Sequence, residues 1–182
     1  MTYVGIDPSL TRTAVAIIHD DGSVTIREKA TKGKAGASVI DRLGRIREIA
    51  SWSNRVIHQE TDYVDLWAIE GPSMGSKNAA AAHDRSGLWW LIADALQAAQ
   101  VGHPIIVPPT VRAKYATGKG NAGKDEVLAA VIRRWDYAPV ENNDQADAFV
   151  IAAIAAHLDG HPLSDMPASH LAALKTLTGE RP

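Results

Sequence analysis

The chain has 182 residues, of which 46% are hydrophobic and 22% charged, an ordinary composition for one globular domain with its own core. Cysteine is absent, which excludes a disulfide framework and a thiolate metal site and suits a reducing compartment. A formal charge of −2 excludes nucleic-acid binding by bulk charge, so any such surface must be local. The first residues carry no charged stretch leading into an apolar leader, and no run approaches the roughly 18 continuous apolar residues of a membrane span. The expectation is a soluble, cytoplasmic protein with no membrane partner.

The apolar run from Tyr3 ends at Asp7, and Pro8 cannot donate to a sheet ladder, so a first strand stops or bends beside that carboxylate. Thr13 to Ile18 is β-branched and apolar, Asp20-Asp21-Gly22 is a turn signal, and Val24 to Arg27 alternates. Three short strands therefore open the chain. A carboxylate at a strand tip is either a turn cap or a metal ligand, and the choice depends on whether other acids converge on it.

Gly33 and Gly36 mark a loop, after which Val39, Ile40, Leu43, Ile46, Ile49, Ala50 and Ile57 recur at helical spacing to about Glu60. Arg42, Arg45, Arg47 and Arg55 fall on the outer face, which a solvated surface explains. Tyr63 to Glu70 is a further apolar strand, broken by Gly71-Pro72, so the arrangement at Asp7 is repeated: apolar strand, acid, breaker. A glutamate at a buried strand end is costly unless it is paired or bound to a cation.

A polar loop, Ser73 to Asn78, leads into an Ala-rich helix from Ala79 to Gln100, with Trp89, Ile92, Ala93 and Leu96 spaced to face a core. Pro104 to Pro108 is a short strand, and Pro109 opens a short helix through Ala116. Gly118 to Gly123 is a loop, and Lys124 to Trp135 a helix with Val127, Val131 and Trp135 on one side. Alternation of strand and helix implies an α/β sheet with helices on its faces. Arg112, Lys114, Lys119, Lys124, Arg133 and Arg134 face only Asp125 and Glu126 between positions 112 and 134, six bases against two acids, a local excess of +4. This is the candidate nucleic-acid surface, where glycines let the backbone approach phosphates and lysines supply charge. Lys77 in the preceding polar loop joins it.

In Asp144-Gln-Ala-Asp147 the two acids share one face of a helix whose apolar run starts at Ala148; Asp144 suits a cap or first-turn position. Residues 160–182 are expected to form an extension with a short helix from Ala168 to Leu177, beyond a main unit of residues 1–159. Asp7, Glu70, Asp144 and Asp147 are thus offered by two strand ends and one helix start. An all-oxygen set suits Mg²⁺ or Mn²⁺. Two such ions about 3.5–4 Å apart can activate a water and stabilise a leaving oxygen at a phosphodiester. Uncompensated, the four carboxylates would repel one another, so the cluster makes sense mainly with cations bound.

Gly5-Ile-Asp-Pro8, Ala68-Ile-Glu70, Gly118-Lys-Gly120 running into Lys124-Asp-Glu-Val127, and Asp144-Gln-Ala-Asp-Ala148 together resemble the RuvC-like Holliday junction resolvases of the RNase H and retroviral-integrase superfamily, across residues 3 to 158. The resemblance implies an RNase H-like five-stranded mixed sheet with helices on both faces, a homodimer, and Mg²⁺-dependent symmetrical nicking of four-way DNA junctions. It makes the four acids the ligands of two metal ions and puts Lys124, as a catalytic residue, where the family uses a basic residue near the scissile phosphate. Where bacterial resolvases carry a junction-probing aromatic after the glutamate, this chain has Gly71-Pro-Ser-Met74, with Met74 as the candidate substitute contact to DNA. Phage-type members, the subgroup this chain most resembles, often accept a wider set of branched DNAs. Competing readings are a RuvC-like nuclease for flaps, forks or structured RNA, a non-catalytic branched-DNA-binding protein, and a sugar-kinase or actin-like ATPase domain, which would need a second domain and glycine-rich phosphate loops.

Overall fold

A computed structural model describes residues 1–72, 79–99 and 104–177. Strand β1 (Tyr3–Asp7) turns back into β2 (Arg12–Ile18), which pairs antiparallel with it and with β3 (Val24–Ala30). Asp21 accepts from the backbone N–H of Ser23 at 2.9 Å to close the second turn. Helix α1 (Val39–Glu60) crosses to β4 (Leu66–Glu70), α2 (Ala79–Ala98) to β5 (Pro104–Val107), and both strands run parallel to β1 in the order β3-β2-β1-β4-β5. Helices α3 (Pro109–Thr117), α4 (Lys124–Arg134), α5 (Asn143–Leu158) and α6 (Ala168–Leu171) follow, then a 3₁₀ turn at Leu174–Thr176. This is the five-stranded mixed α/β sheet that the sequence implies.

Strand alternation divides the core in two. Val4, Ile6, Val15, Ile17, Trp67 and Ile69 face α1 and α2, against Ile49, Ile57, Ile92 and Leu96. Tyr3, Ala14, Ala16 and Ala68 face α3, α4 and α5, where Tyr115, Trp135 and Phe149 pack ring to ring. Small residues on this second face let α5 settle close. At Gly5 an added Cβ would overlap the backbone nitrogen of Ala152 and the carbonyl oxygen of Ala148, so only glycine admits the helix there. Nearly every α5 residue from Gln145 to Leu158 is buried, which is why its apolar run shows no polar side.

Three sequence expectations are modified. Val39 and Ile40 are 72% and 75% exposed, because α1 meets the sheet only from Ile46 onward. Arg42 and Arg45 leave the solvated face: Arg42 pairs with Asp84 of α2, and Arg45 donates to Leu10 O and, at 3.0 Å, to Thr31 Oγ1, tying α1 to the β1–β2 turn. Beyond Asp159, Ala173, Leu174 and Leu177 join the α5-side core, and the buried His170 places Nδ1 2.8 Å from Tyr115 O, so the segment packs against α3 rather than trailing from the domain.

Gly5→Ala should cost about 3 kcal/mol or more, since the clash is with backbone that no rotamer change can relieve. Denaturant unfolding checks this, and a variant within about 1 kcal/mol of the parent would show that α5 can slide outward.

Candidate active site

Because β1 and β4 are parallel neighbours in register through Ile6 and Ile69, the next residues, Asp7 and Glu70, lie side by side at the same sheet edge. Each ends its strand at a breaker, and the Glu70 end is pinned by Trp89 Nε1 donating to Glu70 O at 3.0 Å and Gly71 N–H donating to Val107 O at 2.9 Å. Both side chains fall on the α5 side, where the first turns of that helix bring Asp144 and Asp147. Asn142, not Asp144, caps the helix, accepting from Gln145 N–H at 3.1 Å, and Asp144 takes a first-turn position. Glu28 of β3 accepts from Asn142 Nδ2 at 2.8 Å and Gln145 Nε2 at 3.1 Å, clamping the helix start to the sheet. Nothing in the local sequence singles out Glu28 for this, since Asn142 and Gln145 lie more than a hundred residues away.

Besides Lys124, which the sequence placed here, the structure supplies two cations that the sequence left out of this cluster, Arg112 and Arg12. Arg112, grouped by sequence with the phosphate-binding residues, is buried at 7% exposure: Nη1 donates to Glu70 Oε2 at 2.6 Å and forms an ion pair with Asp147 Oδ2. Pro109 starts α3 directly behind β5, so its first turn aims Arg112 at the neighbouring strand's end. Lys124 Nζ, largely exposed, reaches Asp144 Oδ1 at 3.0 Å and Asp147 Oδ2 at 3.8 Å, and Arg12 Nε stands 3.8 Å from Asp144 Oδ2. The acids are therefore partly compensated by side chains of the protein itself, which the expectation that the cluster makes sense mainly with cations bound did not include.

Compensation is incomplete. Burial pushes Asp7 well above the usual carboxylate range, with repulsion from Glu70 and Asp147 adding to it and Arg112 and Lys124 opposing. Burial likewise raises Glu70 to about 7 against the pull of Arg112, and Asp147 to about 6 against Arg112 and Lys124. For Lys124, burial disfavours the charged amine, but the bond to Asp144 and the charges of Asp144, Asp7 and Asp147 outweigh it and hold its pKa above the ordinary value.

The donor set fits a hard divalent ion. It is all oxygen, lies at one buried edge, and includes Asp147 Oδ1, buried with no hydrogen-bond partner. Among the described residues no three acids converge as a ready-made cage; the Arg112 guanidinium lies between Glu70 and Asp147. Lys114 is half-buried on α3, while Lys119 is exposed and stands 4.0 Å from Glu126 Oε1. Lys119, Arg133, Arg134 and His170 line an open cleft of about 790 Å³ on the outer side of α4. Met74 and Lys77 lie outside the described residues.

Comparison with known proteins gives a consistent picture. No family model matches the chain. The crossover junction endodeoxyribonuclease RuvC of Synechococcus sp. (strain CC9311) is 30% identical over 165 residues, covering 84% of this chain and 96% of that protein. The fold is that of Thermus thermophilus RuvC, at a TM-score of 0.64 and 21% identity over 88% of this chain and 98% of the other. It also matches T. thermophilus RuvC in complex with Holliday junction substrate, at a TM-score of 0.63 and 17% identity, over 84% of this chain and 90% of that one.

Without metal, Asp7, Glu70 and Asp147 hold protons more tightly folded than unfolded, so their contribution to stability is present below about pH 4 and is lost as pH rises through their raised folded values. Thermal or denaturant unfolding in EDTA should show stability falling by about 1–3 kcal/mol between pH 5 and pH 8. Asp7→Asn, which removes one of the three charges, should flatten that fall and melt no lower than the parent at pH 8. A parent whose stability in EDTA rises across this window would overturn the charge balance described.

Proposed function

The chain belongs to the RuvC family of crossover junction endodeoxyribonucleases, and from that premise we propose that it is a metal-dependent, structure-specific endonuclease that hydrolyses phosphodiester bonds in four-way DNA junctions and related branched DNA. The observation that carries the proposal is that Asp7, Glu70, Asp144 and Asp147 project at one sheet edge near enough to repel one another, though no three of them form a ready-made cage, with the Lys124 ammonium on their open side. Two divalent ions held by these acids, Mg²⁺ with Mn²⁺ as a substitute, would supply an activated water and a stabilised leaving oxygen.

Each residue then has a separable task. Asp7 and Asp147, buried on strand and helix, hold their oxygens in place because their backbones cannot move independently of the core. Lys124 projects from the start of α4 into solvent beside Asp144, where it offsets charge developing on a bound phosphate. Lys114 and Lys119 contact the DNA backbone around the glycine-rich loop and position the substrate without reading its sequence. The place of action is the cytoplasm; among the described residues no helix is long and apolar enough to cross a membrane.

Incubation with labelled four-way junction, flap, fork and linear duplex, with Mg²⁺ and with EDTA, tests the proposal. The junction should be nicked in Mg²⁺ and left intact in EDTA, and Asp7→Asn should bind it without cutting. Under single turnover at saturating protein, Lys124→Ala should cut bound junction roughly 10²-fold more slowly. Full activity in EDTA would sink the metal mechanism, and an unchanged Lys124→Ala rate would reduce Lys124 to a phosphate contact.

Paired nicks need two active sites in one assembly, so the proposal includes a homodimer. Support comes from an apolar groove of about 460 Å³ between α1 and α2, bordered by Val39, Leu43, Gly87 and Leu91 and by Trp90, which is 68% exposed beside the buried Trp89. A large aromatic left in solvent beside a groove that also holds the exposed Val39 is what a self-complementary apolar contact would cover. Trp90→Arg should shift the mass measured by sedimentation at micromolar concentration from dimer to monomer. A parent that is monomeric with and without DNA would refute the dimer.

A further inference from the structure

Arg112 is not needed to explain the fold, and its placement is unusual. It is a permanently charged side chain, buried, whose Nη1 serves both Glu70 and Asp147 while its Nε is buried with no hydrogen-bond partner. An arginine retained only as a structural clamp would spread its five donors over a forked set of acceptors. Here one nitrogen bridges two acids on different elements, β4 and α5, and the neighbouring donor is left unsatisfied. The contact with Asp147 is a close ion pair at Oδ2, and Asp147 Oδ1 stays unpartnered.

We propose that Arg112 is a tethered counterion for the active site, a positioning residue that holds Glu70 and Asp147 together in the metal-free protein and gives way as a divalent ion takes the same oxygens. This rests on the reading that the four acids bind metal. A cation drawn to the remaining oxygens of Glu70 and Asp147 meets the guanidinium already bridging Glu70 Oε2 and Asp147 Oδ2, so the two positive charges compete for the same pair of carboxylates. Guanidinium does not lose its proton at any working pH, so the competition cannot be removed by deprotonation and must be resolved by movement. Lys124 does not share this role: it stands on the solvent side at Asp144, where it can stay while ions bind. The outcome is a site that remains folded and nearly charge-balanced before metal arrives, at the expense of metal affinity.

Mn²⁺ titration followed by electron paramagnetic resonance of the free ion, together with melting in EDTA and in Mg²⁺, tests the proposal without reference to DNA cleavage. Arg112→Gln should bind Mn²⁺ at least about tenfold more tightly, since a positive charge beside the ion is gone. It should also melt lower than the parent in EDTA and recover most of the loss in Mg²⁺, giving a larger metal-induced rise than the parent shows. A merely structural arginine would lower both melting curves equally and leave Mn²⁺ affinity unchanged, which would overturn the proposal. If Arg112→Gln does not fold, Arg112→Lys carries the test: the shorter ammonium bridges the two acids less well and should tighten Mn²⁺ severalfold, and unchanged affinity again overturns it. A parent that takes up no Mn²⁺ would refute the metal reading itself, and this inference with it.

Discussion

With no side chain at Gly5, the backbone of α5 rests directly on β1, and the rest of the site depends on that contact. Strands β1 and β4 can present Asp7 and Glu70 at a common edge by pairing alone. Only a helix seated this deeply on the small residues Ala14, Ala16 and Ala68 carries Asp144 and Asp147 to the same place. The clamp from Glu28 to Asn142 and Gln145 sets where along the sheet the helix begins. Geometry of the acids is thus a consequence of core packing, and small residues on one face of the sheet serve the site as much as the acids do.

Bringing four carboxylates together is a problem of charge as well as placement. Desolvation and mutual repulsion both favour the protonated acids, and the protein answers with cations drawn from three elements: Arg12 from β2, Arg112 from α3 and Lys124 from α4. These cations differ in burial. Arg112 lies beneath the cluster and is shielded from solvent, whereas Lys124 stands over it and is largely exposed. A count of basic residues in the 112–134 segment would merge these two placements.

The two faces of the sheet serve different ends. On the α5 side, packing is tight and the side chains are small, which suits a site that must hold its oxygens in fixed positions. On the α1–α2 side, the sheet is covered by larger apolar residues and the two helices leave Trp90, Val39 and Ile40 in solvent. The acids face the α5 side of the sheet, whereas this apolar patch lies between α1 and α2 on the other.

Strands, helices and their order were legible in the sequence because their signals are local: breakers behind Asp7 and Glu70, the Asp20-Asp21-Gly22 turn, the helical spacing from Val39 to Glu60, and Pro109 at a helix start. The four acids were legible for the same reason, as each sits at the end of an element whose type the neighbouring residues decide. What the sequence could not show was which distant groups meet. Arg112 looked like one more base in a basic segment, and only the seating of α3 behind β5 turns it inward between Glu70 and Asp147. Arg42 and Arg45 looked like surface charges until α2 and the β1–β2 turn came beside them, and Glu28 carried no signal until the start of α5 met it. The tail after Asp159 gave no sign that Leu174 and Leu177 close the core. Local propensity and periodicity act within a few residues and are written along the chain; pairing of charges and burial of a terminal segment depend on contacts between residues tens to more than a hundred positions apart, which only the tertiary structure decides.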